Sequence, residues 1–477
     1  MGSSEGTEPG APRSAKDDRG LTAVWHNAES TMNGWRPGCA AEYGPTGACA
    51  EVAKRSCIIV GAGPAGLAAA IAAARSGWSV VVLEKNARPG RKLLLTGGGR
   101  ANLTDPASPA LDALEAYGRS GRFLRQVLAS FSLAEFLKEL AVETERETDG
   151  PRRGILYVRG GARRLLEALR TEAAHRGVEA VCGAAVRTAA RRPDGGFEVR
   201  SERGNWTGRR LIIATGGLTY PSTGSSGDGY RLAEIFGHEV ESPRPALGAM
   251  ATDPCFPSLA GTSVANASMT LRRDGCRLAT RRGALLFTHH GVSGPPALDL
   301  SLELARASPS PEEAPGTRLV VDLAPDRTRE QVLEEFLALS RARPNRRLEN
   351  AGLRLGGAGL NATLSARLVA ELARLAGIDP AGRLGRTSRC EFATLAGHIK
   401  ALAMTVREPL DPNEAMVTLG GVATKRIDPY TMESRLVPGL RFAGEVLAPA
   451  GPCGGYNLLM AFATGQAAGS QADASPA

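Results

Sequence analysis

From Cys57 to Ala74 no charged residue interrupts the chain, yet Gly61, Gly63, Pro64 and Gly66 divide the run. The apolar segment Cys57 to Val60 predicts a buried strand, and alanine-rich Pro64 to Ser76 predicts a helix that Gly77 stops. Ser79 to Leu83 repeats the short apolar pattern and predicts a second buried strand, followed at once by Glu84. Eighteen uncharged residues are long enough to span a membrane. The glycines and proline interrupt them early and split them into strand, turn and helix, which argues against a span.

Residues 121 to 140 and Gly161 to Arg176 carry helical periodicity, and Val178 to Val186, Phe197 to Ser201 and Leu211 to Gly217 suggest strands. From about Pro243 the pattern changes to short alternating segments, among them Ser268 to Leu271, Gly283 to Phe287 and Arg318 to Leu323, as expected of β-structure. Residues 327 to 340 and 362 to 376 are strongly helical. Strand-like Met416 to Leu419 and Leu440 to Phe442 precede a terminal helix over Leu458 to Ala468. Residues 1–54, rich in small residues and without a sustained period, are expected to be a flexible extension.

Gly61, Gly63 and Gly66 stand at the G-x-G-x-x-G spacing between the first strand and helix. The first glycine permits the tight turn, the second lets backbone approach a pyrophosphate, and the third lets the helix pack on the strand. The helix start aims free amides and a positive dipole end at the phosphates. Glu84, eighteen residues beyond Gly66, suits ribose hydroxyls and disfavours a 2′-phosphate, so FAD or NAD fits better than NADP. No second such motif follows a strand, so NAD(P)H, if used, is expected to visit the flavin transiently.

The 43% apolar and 22% charged residues are ordinary for a globular protein. The net charge of +9 raises a nucleic-acid partner, but its arginines are dispersed in pairs such as Arg163-Arg164 and Arg281-Arg282, without a long basic run or interleaved aromatics. A solvated face is the expected reading, with no nucleic-acid and no membrane partner. The eight cysteines form no C-x-x-C pair, which shows neither a metal site nor a dithiol motif, and their scatter suits a reducing interior. The N-terminus carries no secretory pattern, and a cytoplasmic location is expected.

Six ordered blocks extend the argument: GRKLLLTGGGRAN at Gly90 to Asn102, ATGGLTYPSTGSSGDGY at Ala214 to Tyr230, FTHHGVSGP at Phe287 to Pro295, VTLGGV at Val417 to Val422, TMESRLVPGLRFAGEVL at Thr431 to Leu447, and GPCGGYNLLMAFATG at Gly451 to Gly465. With them the chain resembles, from Arg55 nearly to its end, the HI0933-like (BaiN-type) family of bacterial NAD(P)/FAD-dependent oxidoreductases. The resemblance implies an α/β fold: a Rossmann-like FAD-binding domain (55–242 plus 414–477), a β-barrel-like insert (243–326 plus 398–413) and a small α-helical subdomain (327–397). It departs at two places, with Ala101 where the family commonly has cysteine and Cys453 where threonine is usual.

The expected FAD contacts are Gly61, Gly63, Ala65, Gly66, Glu84 and Lys85; Arg91, Lys92, Thr96, Gly97, Gly98, Gly99, Arg100 and Asn102; Ala214, Thr215, Gly216 and Gly217; and Gly444, Glu445, Gly454, Gly455, Tyr456 and Asn457. Arg91, Lys92 and Arg100 can neutralise pyrophosphate, and the start of the last helix can stabilise the electron-rich end of a reduced flavin. His289, Tyr456 and Cys453 are candidates for proton or redox chemistry. The resemblance implies NAD(P)H-linked reduction of a conjugated C=C bond in a small molecule. A flavin-dependent amine oxidase, a flavin-binding sensor and an RNA-modifying flavoprotein are the alternatives.

Overall fold

The computed structural model describes residues 55–104, 115–146, 155–307, 316–355, 362–407 and 410–470. The extension expected over residues 1–54 lies outside them. Five parallel strands form the central sheet in the order Leu440–Phe442, Arg210–Ile213, Ser56–Val60, Ser79–Glu84 and Glu179–Cys182. Ile58, Ile59, Val82 and Ile212 are fully buried, as continuous apolar runs in a parallel sheet covered on both faces should be.

Helix Pro64–Arg75 packs against Gly161–His175 and against the last helix, Tyr456–Gly469. Its contact with the last helix is close because small residues face each other: a Cβ on Gly465 would stand 2.4 Å from the Ala65 carbonyl oxygen. The far end of the last helix is held by two buried arginines on central strands. Arg210 donates to the carbonyls of Gly469 (2.9 Å) and Ser470 (3.1 Å), and Arg441 to those of Ala468 (3.0 Å) and Ser470 (2.9 Å). Cations suit these unpaired carbonyls at a helix C-terminus.

A closed six-stranded barrel forms a second unit, in the order Met250–Asp253, Gly291–Ser293, Cys276–Phe287, Ser263–Arg273, Arg318–Asp322 and Leu402–Val406. Asp274 and Gly275, both at positive φ, make the tight turn of its long hairpin. Helices Arg329–Ala342, Ala366–Leu375 and Arg389–Lys400 share the barrel's apolar core, where Phe336 and Phe392 stack at 5.4 Å. Capping boxes at Thr328/Gln331 and Ser388/Glu391 start two of these helices.

Strand Val240–Ala246 pairs antiparallel with Val417–Val422 where the chain leaves and re-enters the FAD domain. Helix Pro295–Ala307 ties the units together. Its Arg306 donates to the carbonyls of Ala116 (2.8 Å) and Ala450 (3.0 Å) and meets Glu303 at 3.1 Å.

Several expected elements differ in detail. The helix expected over 121 to 140 is two helices, Gly121–Ala129 and Leu133–Glu139, because the Ser132 hydroxyl accepts from Glu135 N and caps the second. The strand expected over Val178 to Val186 breaks at Gly183, which takes φ +73°, and Val186 instead opens a separate meander of Val186–Arg191, Phe197–Ser201 and Gly204–Gly208. Helices Pro295–Ala307 and Arg389–Lys400 have no counterpart among the expected elements. Among the described residues no helix is long and apolar enough to cross a membrane, and no group of three or more His, Cys, Asp or Glu could hold a metal ion.

Candidate functional site

A cleft with about 1170 Å³ of empty space, part of it open to solvent, runs from the first strand's C-terminal end to the start of the last helix. Gly61, Gly63 and Ala65 line it at the turn. Gly61 takes φ +101°, and a Cβ there would stand 2.5 Å from the Ala214 carbonyl oxygen; one on Gly66 would collide with the Gly61 oxygen at 1.9 Å. Gly66 therefore serves the packing under the turn. At Gly63 a Cβ would meet nothing within 4 Å, so backbone there borders open space beside the helix start. A phosphate fits such a place.

Glu84 is buried yet lines the cleft. Its carboxylate accepts from Ala62 N (2.9 Å), Asn86 N (2.8 Å) and Asn86 Nδ2 (2.7 Å). Three donors orient the group and leave acceptor capacity for ribose hydroxyls. Lys85 pairs with Asp228 at 2.7 Å, and both line the cleft.

On the opposite side Lys92 Nζ stands 2.8 Å from each oxygen of Glu445 and 2.8 Å from Thr219 Oγ1. Glu445 also accepts from Thr418 N at 2.9 Å and from Thr219 Oγ1 at 3.2 Å. The Lys92 charge is thus already neutralised by Glu445 rather than left for a phosphate. Arg91 lines the cleft and donates to Asn86 Oδ1 at 3.3 Å. A Cβ on Gly217 would stand 2.3 Å from Thr418 Oγ1, so that glycine makes room for the same network.

Thr96, Ala214, Thr215, Gly216 and Asn457 also line the cleft. Asn457 closes the loop before the last helix: its Oδ1 accepts from Gly451 N (2.9 Å) and its Nδ2 donates to Gly451 O (2.8 Å). Gly97, Gly98 and Gly99 do not line it; they take φ +59°, +66° and +89° in succession beside it. Asn102 is tucked beneath, its Oδ1 buried without a hydrogen-bond partner and 2.0 Å from where a Gly97 Cβ would be. The Arg100 guanidinium lies 4.1 Å over the Tyr157 ring.

Gly444 packs on Ala65, whose Cβ would be 2.6 Å from an added one. Gly454 and Gly455 have positive φ, and Gly455 abuts the Leu103 backbone, with 2.3 Å from an added Cβ to its carbonyl carbon. Tyr456 opens the last helix; its carbonyl accepts from Tyr117 Oη at 2.7 Å, and the two rings meet edge to face. Burial pushes the Tyr117 hydroxyl far above its usual pKa.

Cys453 N donates to Asp299 Oδ1 at 2.8 Å. Burial raises the Asp299 carboxyl, with the bonds from Cys453 working in the opposite direction. His289 is exposed in the turn joining Cys276–Phe287 to Gly291–Ser293 and does not line the cleft. Asn86, Gly90, Ala184, Thr223, Ser225, Asp228 and Met416 also line it without being among the expected contacts, although Gly90 lies in the Gly90 to Asn102 block and Thr223, Ser225 and Asp228 in the Ala214 to Tyr230 block. Outside those blocks, Asn86, two residues after Glu84 and able to bond its carboxylate, carried a local signal.

The pattern of the family described as HI0933-like protein Rossmann domain matches residues 55–471. A 3-dehydro-bile acid delta(4,6)-reductase of Clostridium scindens is 32% identical over 426 residues, covering 88% of this chain and 99% of that protein. Two proteins named ribosomal RNA dihydrouridine synthase are similar as well. That of Haemophilus influenzae is 31% identical, over 86% of this chain and 96% of its own. That of Escherichia coli is 32% identical, over 85% and 95%. With a match across residues 55–471 and relatives of this identity and coverage, this chain belongs to the HI0933-like family.

Proposed function

We propose that this FAD-dependent oxidoreductase reduces a C=C bond conjugated to a carbonyl in a small organic molecule, with NAD(P)H as the transient hydride source. The cleft carries the reading: open space at Gly63, an oriented acceptor at Glu84 and the first turn of the last helix at Asn457 and Leu458 lie along one continuous groove. FAD held there supplies two-electron hydride exchange. Gly61, Gly63 and Ala65 would hold its pyrophosphate, Glu84 would accept from its ribose, and the Lys92–Glu445 pair would border the stretch between.

Reduction adds one hydride and one proton across the double bond, so the chain must hold a proton donor. Tyr456 and Cys453 do not line the cleft themselves, but both stand within four residues of Asn457, which does, and so suit that task better than His289 on its exposed barrel turn. The bile-acid reductase relative supports an enone substrate.

A second reading rests on the two relatives named for dihydrouridine: making dihydrouridine also saturates a C=C bond conjugated to a carbonyl, in the uracil ring. The net charge of +9 suits RNA. Anaerobic stopped-flow on the FAD-loaded protein tests both. NAD(P)H should bleach the flavin, and either a steroid-like enone or a uridine-containing RNA should restore its colour. Bleaching by amines alone would sink both readings in favour of an oxidase, and no bleaching by any donor would favour a sensor.

A further inference from the structure

Several surface arginines of this protein meet a carboxylate: Arg75 meets Glu139, Arg176 meets Glu172, Arg374 meets Glu371. Five arginines on the helical side of the barrel do not. Residues 343–348 and 382–387 run side by side, joined by Gly385 N to Pro344 O, Leu384 N to Arg346 O and Leu348 N to Gly382 O, each at 2.9 Å. Leu348 and Leu384 are fully buried and pin both segments to the core. That pinning leaves their polar neighbours on the outside.

The outside is arginine. Arg341, Arg343, Arg346, Arg347, Arg383 and Arg386 gather there, and Arg347 and Arg383 stand directly opposite each other in an antiparallel bridge. Among the described residues only Arg347 finds a carboxylate, Glu349 at 3.3 Å, and Arg383 donates to Asn345 at 3.3 Å. Like charges directly opposite each other across paired strands are destabilising. Arg341 has a local reason in the last turn of its helix and Arg347 has its carboxylate; Arg343, Arg346, Arg383 and Arg386 have neither.

We propose that this arginine face binds the phosphate backbone of RNA. Guanidinium groups match phosphate with paired donors, and no lysine and no exposed large apolar side chain lies on either segment. A membrane surface would call for apolar anchors beside the charge. The face is invisible as a run in the sequence, because its two halves are separated by about forty residues and meet only through the backbone pairing. The inference rests on the RNA reading for its biological purpose, but binding is measured without turnover.

The test is fluorescence anisotropy of a labelled uridine-containing RNA hairpin with the FAD-loaded full chain, repeated across salt concentrations. Replacing Arg343, Arg346, Arg383 and Arg386 together with glutamine should weaken binding at least about tenfold. It should also flatten the slope of log affinity against log salt by about 3, the loss of four phosphate contacts. Replacing paired arginines elsewhere, Arg187→Gln with Arg200→Gln, should change little. Circular dichroism and flavin content establish that the variants fold. Unchanged RNA affinity in the fourfold variant overturns the proposal. So does tighter, cluster-dependent binding to phosphatidylserine vesicles than to the hairpin. If the fourfold variant loses RNA while the wild type proves unable to reduce uridine, the binding face stands and only the RNA substrate reading falls.

Discussion

Lys92 and Glu445 are 353 residues apart in the chain, yet the ammonium sits 2.8 Å from both carboxylate oxygens, each side chain about one-fifth exposed. The pair joins the loop after the second strand to the loop before the last helix, across the cleft.

Removing one partner leaves the other charge in a partly enclosed site. Lys92→Met or Glu445→Gln should weaken FAD binding by about 10- to 100-fold and lower stability by ~1–3 kcal/mol, less than a fully buried pair would cost. Flavin titration and urea unfolding of each variant measure the two effects. Wild-type FAD affinity in both variants would remove the pair from the cofactor site.

Gly63 and Gly66 should separate binding from folding. Gly66→Ala drives a methyl into the Gly61 carbonyl and should cost about 3 kcal/mol or more of stability. Gly63→Ala has room in the protein alone and an ordinary φ of −78°, so the melting temperature without FAD should hardly change. Its methyl would project where a phosphate is expected, and FAD affinity should fall at least about tenfold. Equal effects of both substitutions on thermal stability would contradict this.

His238 is buried, bonded to Ser434 Oγ at 2.7 Å and edge-on to Phe442. Burial lowers its pKa from the usual 6.5, so the unfolded chain takes up the proton first as pH falls. The contribution of His238 to stability is therefore full well above pH 6.5 and is lost as pH falls through that value. The urea midpoint of the wild type should drop between about pH 7.5 and about pH 5.5, and His238→Gln should reduce that drop.

Arg306 links the barrel to the FAD domain through two main-chain carbonyls. Arg306→Met should leave both carbonyls and Glu303 without it and destabilise by ~2–3 kcal/mol. Because the contacts join two units, limited proteolysis should release the insert faster in the variant. Identical digestion patterns would show that helix Pro295–Ala307 docks without it.

The nucleotide-binding unit was legible because its determinants are local: an apolar run, three spaced glycines and an acid within one strand–helix–strand stretch. The barrel was legible only as alternating segments, since its closure depends on Leu402–Val406 joining strands far earlier in the chain. Helix Pro295–Ala307 was missed because its opening Pro295-Pro296 reads as a breaker, although proline is well suited to a first helical turn. The site's residues were read one at a time. Lys92 looked like a phosphate ligand and Glu445 like one more contact to FAD, and nothing in their spacing announced that each would occupy the other.

Two arginines from the central strands grip the end of the last helix, and that helix's beginning borders the cleft. A chain still on the ribosome, lacking everything beyond Phe442, has the glycine turn and Glu84 but neither Glu445 nor the wall behind it. Cofactor loading must therefore wait until the last helix has been made, and a chain cut after Phe442 would keep all five central strands with nothing to hold a flavin in place.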